Sequence, residues 1–198
     1  MRFVKHILAC LLTALLFFVS WPPNSLPVFI FIAFVPIIWL VFNFNSVETK
    51  YSAWSLFASL FVTFFTLNFL LTSWVMNAHL GGGLFASVFN AFLMSCVLLL
   101  VYKLKQRMGD KHAFMAFPIL WLAFEYLHLN WELTWSWMTL GNVFSEKTSW
   151  VQWYEYTGAL GGSLWVLLIN SILYYGLSKL IAKESFLKLI FLAVVIFI

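Results

Sequence analysis

Seven apolar runs, at about 4–20, 26–43, 52–77, 83–103, 112–129, 159–180 and from about 186 onward, constrain this chain more than any motif in it. A helix needs roughly 20 apolar residues to cross a hydrocarbon core about 30 Å thick. Inside that core no water pairs with backbone N–H and C=O groups, so each segment must close its own hydrogen bonds as a helix. The chain therefore reads as all-α: a polytopic transmembrane helix bundle of about seven helices over residues 1–198. Its composition, 64% hydrophobic and 9% charged in 198 residues, leaves no room for a sizeable soluble domain.

Turn chemistry separates the runs. "WPPNSLP" (21–27) is too rich in proline to continue a helix, so the first two runs form a tight hairpin, and "HLGGG" (79–83) is expected to break the third run from the fourth. The amino terminus has basic residues before an apolar core, as a signal peptide has, but no small-x-small cleavage site follows; it reads as an uncleaved first helix. Cys10 and Cys96 both lie in apolar runs and read as small packing residues, not as a disulfide framework.

Charge sets the expected orientation. With the amino terminus inside, the inner segments hold Arg2, Lys5, Lys50, Lys103, Lys105, Arg107, Lys111, Lys179, Lys183 and Lys188; of the 11 basic residues only Lys147 falls outside. The same scatter argues against a nucleic-acid partner, which would call for one basic stripe. The longest loop, about 130–158, then lies outside and, being rich in Trp, reads as an interfacial structure at the headgroup level. The ten residues after Lys188 cover only about 15 Å of the core, so the sequence reads as truncated within its seventh helix.

One stretch inside an apolar run carries ionisable groups. "WLAFEYLHLNWELTWSWMTLGN" (121–142) places Glu125 and His128 one helical turn apart, followed by Trp131, Trp135 and Trp137. Intramembrane ionisable groups are costly and mark functional sites by default; the plain alternative is that Glu125 pairs with His128 or an indole N–H and anchors the outer loop. Glu-x-x-His occurs once, with no second copy and no further acids at membrane depth, so a di-iron site is not expected, and no metal or other cofactor is implied. Ser73, Ser95 and Ser163 have no His–Asp arrangement around them, and no nucleophile stands out. Small residues in "GALGGS" (158–163) permit close helix packing. Trp74, in "LLTSWVMNAHLGGG", ends the third run as an interface anchor or, with the aromatic loop, as one wall of a lipid portal.

The order of these features resembles the apolipoprotein N-acyltransferases. "SWPP" followed by "FIAFVPII", "LLTSWVMNAHLGGG", "PILWLAFEYLH", "WSWMTLGN" and "VQWYEYTGALGGSLWVLLIN" carry the likeness over nearly the whole chain. Two positions depart from the family pattern: His128 stands where Arg is common, and Trp135-Ser136-Trp137 replaces Phe-Pro-Trp. The resemblance implies a bundle in the bacterial inner membrane that accompanies a nitrilase-like domain with a Glu-Lys-Cys triad on the periplasmic side. That domain moves an acyl chain from a phospholipid to the α-amino group of a diacylglyceryl-modified lipoprotein cysteine.

These 198 residues would then supply no catalytic residue. They would form the membrane platform, with Trp74, Glu125, His128, Trp135 and Trp137 shaping a portal for the phospholipid acyl donor and the lipoprotein substrate. A non-catalytic scaffold that binds lipid or a partner is the alternative. A small transporter fits less well, because the polar groups gather at one face and do not line a path.

Overall fold

The computed structural model describes residues 2–24, 26–44 and 53–182. Every element among them is helical: α1 (Arg2–Ser20), α2 (Ile30–Ala33), α3 (Val35–Asn43), α4 (Ala53–Thr72), α5 (Leu80–Met108), α6 (Asp110–Leu129) and α7 (Tyr154–Ile181), joined by short 3₁₀ turns. The protein is an all-α bundle, as its apolar runs require. Four helices are long and apolar enough to cross a membrane, and the α1 and α2–α3 segments are shorter apolar helices. The seventh run, from about 186, lies outside the described residues, as do Lys50, Lys183 and Lys188 of the charge count.

The helices gather their connections at two ends of the bundle. The near end holds the start of α1, where His6 packs on Phe44 and Phe44 on Tyr102; the Lys105 ammonium donates to the Phe42 carbonyl there. The far end holds the α4–α5 turn and the 130–153 loop. α3 is apolar on every side and packs against α1, α5 and α7, with Ile37, Ile38, Leu40 and Val41 all buried.

The second run is broken, and the break is built. Pro36 brings no N–H to the ladder and disfavours helical geometry at the residue before it. Across the break Asn170 of α7 inserts its carboxamide: Oδ1 accepts from the Phe34 amide at 2.8 Å, and Nδ2 donates to the Ile30 carbonyl at 2.8 Å. These two backbone groups would bond each other in a continuous helix. A third bond, from Nδ2 to the Val166 carbonyl at 2.9 Å, seats the amide on its own helix.

Two boundaries differ from the sequence expectation. The chain breaks at Ala78 and His79, but Gly81, Gly82 and Gly83 belong to the first turn of α5. His79 caps that helix, its Nδ1 accepting from the Gly82 amide at 2.8 Å, and a Cβ at Gly83 would meet Met76 Cγ at 2.6 Å. Gly83 thus serves close packing where a turn was expected, while Gly81 and Gly82 are exposed in the first turn of the helix. In α7 the helical path is interrupted at Gly158 (φ 65°), a left-handed conformation that favours glycine, so the regular helix starts at Ala159, as the apolar run does.

Replacing Asn170 with Ala removes three hydrogen bonds and strands the Phe34 amide and the Ile30 carbonyl in the interior. At roughly 0.6 kcal/mol for each of the two interhelical bonds the loss should be about 1 kcal/mol. Thermal unfolding in detergent micelles, followed by circular dichroism, should show the lowered stability, and Asn170→Asp, which restores only the acceptor, should not recover it fully.

Candidate functional site

The far end is organised by α6 and the loop that follows it. Residues 130–153 pass through three 3₁₀ turns, Ser136–Met138, Leu140–Phe144 and Thr148–Trp150. Met138, Leu140, Val143 and Phe144 are buried, so the loop plugs into the bundle end as well as crossing it. Phe144 packs on Phe31 and on Trp165, with ring centroids 5.7 and 5.2 Å apart.

Glu125 fastens this loop from below. It is 2% exposed. Its Oε1 accepts from the Trp121 indole N–H at 3.0 Å and from the Leu140 amide at 3.0 Å, while Oε2 is buried with no hydrogen bond. Its partner is therefore an indole and a loop amide, not His128. The next loop residue is held from α7: the Ser163 hydroxyl accepts from the Gly141 amide at 3.0 Å, and the Tyr154 hydroxyl donates to the Gly141 carbonyl at 2.9 Å. A Cβ at residue 141 would meet the Ala159 carbonyl oxygen at 2.0 Å, so the loop rests backbone to backbone on α7 and only glycine fits. Of the "GALGGS" residues, Ala159 takes this close approach, whereas Gly161 and Gly162 lie against Thr157 and Tyr154 of α7 itself and a Cβ at Gly158 would meet nothing.

His128 belongs to a second, separate set of bonds. Its Nδ1 accepts from the Trp131 indole at 3.0 Å, which leaves Nε2 to carry the proton and donate to Asn90 Oδ1 at 2.9 Å. Asn90 Nδ2 donates to Asn68 Oδ1 at 2.5 Å, and Asn68 Nδ2 donates to the Phe64 carbonyl at 2.8 Å. The chain Trp131–His128–Asn90–Asn68 runs in one donor direction from the loop through α6 and α5 into α4. It fixes a neutral imidazole, so the charge of the arginine common in the resembling family is not reproduced at His128.

Of the five residues singled out in the sequence, Trp74 and Trp137 meet edge to face, with centroids 5.0 Å apart at 89° and both rings about half exposed. His128 and Trp135 line a cleft of about 240 Å³ together with Phe85, Phe89, Asn90 and Glu132. The Trp135 amide also donates to the His128 carbonyl at 3.3 Å. Glu125 does not line that cleft; it lies beneath the loop. Sequence reasoning missed Asn68 and Asn90, although a carboxamide in the middle of an apolar run needs a partner and could have been singled out on that ground. Cys10 and Cys96 are unbridged.

The directionality of the chain makes a test. Asn90→Ala strands both the His128 N–H and Asn68 Oδ1, whereas Asn68→Ala strands one donor. Asn90→Ala should therefore be the more destabilising, and the double variant should fall short of additivity by about 1 kcal/mol. Thermal unfolding of the four proteins in the same micelles measures both quantities.

Comparison with known proteins agrees with this architecture. The family described as apolipoprotein N-acyltransferase N-terminal domain matches over residues 13–172. An apolipoprotein N-acyltransferase from Chlorobaculum tepidum is 29% identical over 170 residues, covering 85% of this chain and 30% of the relative. The chain thus spans about a third of the length of that curated relative. No solved structure matches. With the match running from α1 into α7 and taking in the whole far end, this chain belongs to the apolipoprotein N-acyltransferase family, in the part that forms its N-terminal domain.

Proposed function

We propose that residues 1–198 form the membrane platform of an apolipoprotein N-acyltransferase. In this reading the far end faces the periplasm, the loop lies at the headgroup level of the bacterial inner membrane, and the bundle guides lipid substrates. The transfer itself moves an acyl chain from a phospholipid to the α-amino group of a lipid-modified lipoprotein cysteine. A nucleophile, a base and an oxyanion donor are needed for it, and the far-end residues described above supply none of these as a set.

The observation that carries the reading is the far end itself. An exposed pair of indoles, Trp74 and Trp137, stands at the edge of a loop that Glu125, Ser163 and Tyr154 hold rigidly to the bundle. Indoles half in and half out of a protein suit the boundary between hydrocarbon and headgroups. The ten-to-one split of basic residues read from the sequence supports a periplasmic far end, since among the described residues Lys147 alone lies on that side.

A chimera tests the proposal. Residues 1–198 replace the matched part of the Chlorobaculum tepidum relative, and acyl transfer is measured from phospholipid vesicles to a diacylglyceryl peptide. The chimera should be active, and a Trp74→Ala, Trp137→Ala double variant should lower kcat/KM about tenfold, equivalent to about 1.4 kcal/mol, with expression unchanged. Activity indifferent to both substitutions in a folded chimera would remove the portal from the account.

A further inference from the structure

Glu125 holds the far-end loop with one of its two oxygens. Both donors, the Trp121 indole N–H and the Leu140 amide, converge on Oε1 at 3.0 Å each. Oε2 is also buried and receives no hydrogen bond from a described residue. The side chain is 2% exposed, so bulk solvent does not supply the missing donor.

An ionised carboxylate in this place would need a cation, and none faces it among the described residues. Tyr154 of α7 directs its O–H to the Gly141 carbonyl. His128, one turn along α6, is a neutral imidazole engaged with Asn90 and Trp131. The loop from Leu133 to Phe144 carries no ionisable side chain, and neither do α2, α3, α4, the part of α5 from Leu80 to Ser95 or the part of α7 from Thr157 to Leu173. A lone charge buried in such surroundings is costly enough that the neutral form replaces it. The neutral acid brings a donor of its own, and an acceptor stands beside it. The Ser163 hydroxyl neighbours the carboxyl, takes the Gly141 N–H at 3.0 Å and directs its own proton to the Ala159 carbonyl at 3.4 Å. A hydroxyl oxygen has two lone pairs, so one is left for a proton from Oε2.

We propose that Glu125 is a carboxylic acid while the loop is closed, with its proton on Oε2 and directed at the Ser163 hydroxyl, and that loss of this proton opens the loop. The acid then ties Leu140 and Gly141, adjacent in the loop, to α6 and α7 through one connected set of bonds. Ionisation puts a charge without a counter-ion beneath the loop, and lifting residues 138–144 relieves it by letting water reach the carboxyl. The closed loop holds one proton more than the open loop, so acid favours closure and base favours opening. The inference concerns how the loop is held and does not rest on the acyltransferase reading.

Infrared spectra of the full chain in lipid nanodiscs read the acid directly. At about pH 7, where a solvated carboxyl is ionised, the unmodified chain should show the C=O band of a protonated carboxyl. That band should survive the combined exposed-site variant Glu132→Gln, Glu146→Gln, Glu155→Gln and vanish in Glu125→Gln. Amide exchange adds the loop: protection factors at Leu140 should fall by up to about tenfold per pH unit as the pH is raised from about 6 to about 9. In Glu125→Gln, neutral at every pH, they should stay level. The proposal is overturned if the unmodified chain shows no protonated carboxyl at neutral pH, a reading that needs no variant to fold. It is overturned equally if the band remains in a folded Glu125→Gln protein, or if protection at Leu140 in the unmodified chain is level across the same range.

Discussion

A polar group in hydrocarbon must find its partner inside the protein, and the bundle is arranged around the few places where that rule is hardest to meet. The first is the broken second helix. Asn170 supplies the bonds that the break removes and so fixes Phe34 in the middle of the molecule. Phe34 packs edge to face on Trp121, with centroids 4.7 Å apart at 82°. Trp121, fully buried, donates to Glu125, and Glu125 holds the amide of Leu140. A repair made in the centre of the bundle is thereby connected, contact by contact, to the position of the far-end loop.

A second line of polar groups reaches the same loop from the other side. Asn68, Asn90 and His128 pass hydrogen bonds in one direction across three helices and end at the Trp131 indole, which is also the last ring of the Phe85–Phe89 column. Both sets serve as supports, because nearly every atom in them is already engaged. Glu132 and Trp135 also line the cleft beside His128 and Asn90, and the Trp135 indole N–H is buried without an acceptor among the described residues. Groups that satisfy one another hold geometry.

Much of this was legible in the sequence because the bilayer imposes length and polarity on each helix. The runs at 112–129 and 159–180 come within a few residues of the regular parts of α6 and α7, and Glu125 was singled out as the acid that needed explaining. The pairings were not legible. Asn90 lies 22 residues from Asn68 and 38 from His128, and Asn170 lies 136 from Phe34. No periodicity links positions on different helices, so of the two partners read for Glu125, His128 or an indole N–H, the indole of Trp121 on the same helix is the one present, while His128 is turned to a different set. The glycines at 81–83 lie just past the break, which falls at Ala78 and His79; Gly83 alone of the three is buried, pressed against Met76, and local sequence does not separate a turn glycine from a packing glycine.

The far-end loop depends most directly on its fastening by Glu125, and amide hydrogen exchange at Leu140 and Gly141, measured in lipid nanodiscs, tests that dependence. Glu125→Gln keeps the acceptor oxygen that both donors use, so the two amides should exchange as slowly as in the unmodified chain. Glu125→Ala should expose them, speeding exchange at Leu140 about tenfold or more while the helices remain protected. Slow exchange at both amides in a folded Glu125→Ala protein would contradict the claim that this carboxyl group holds the loop.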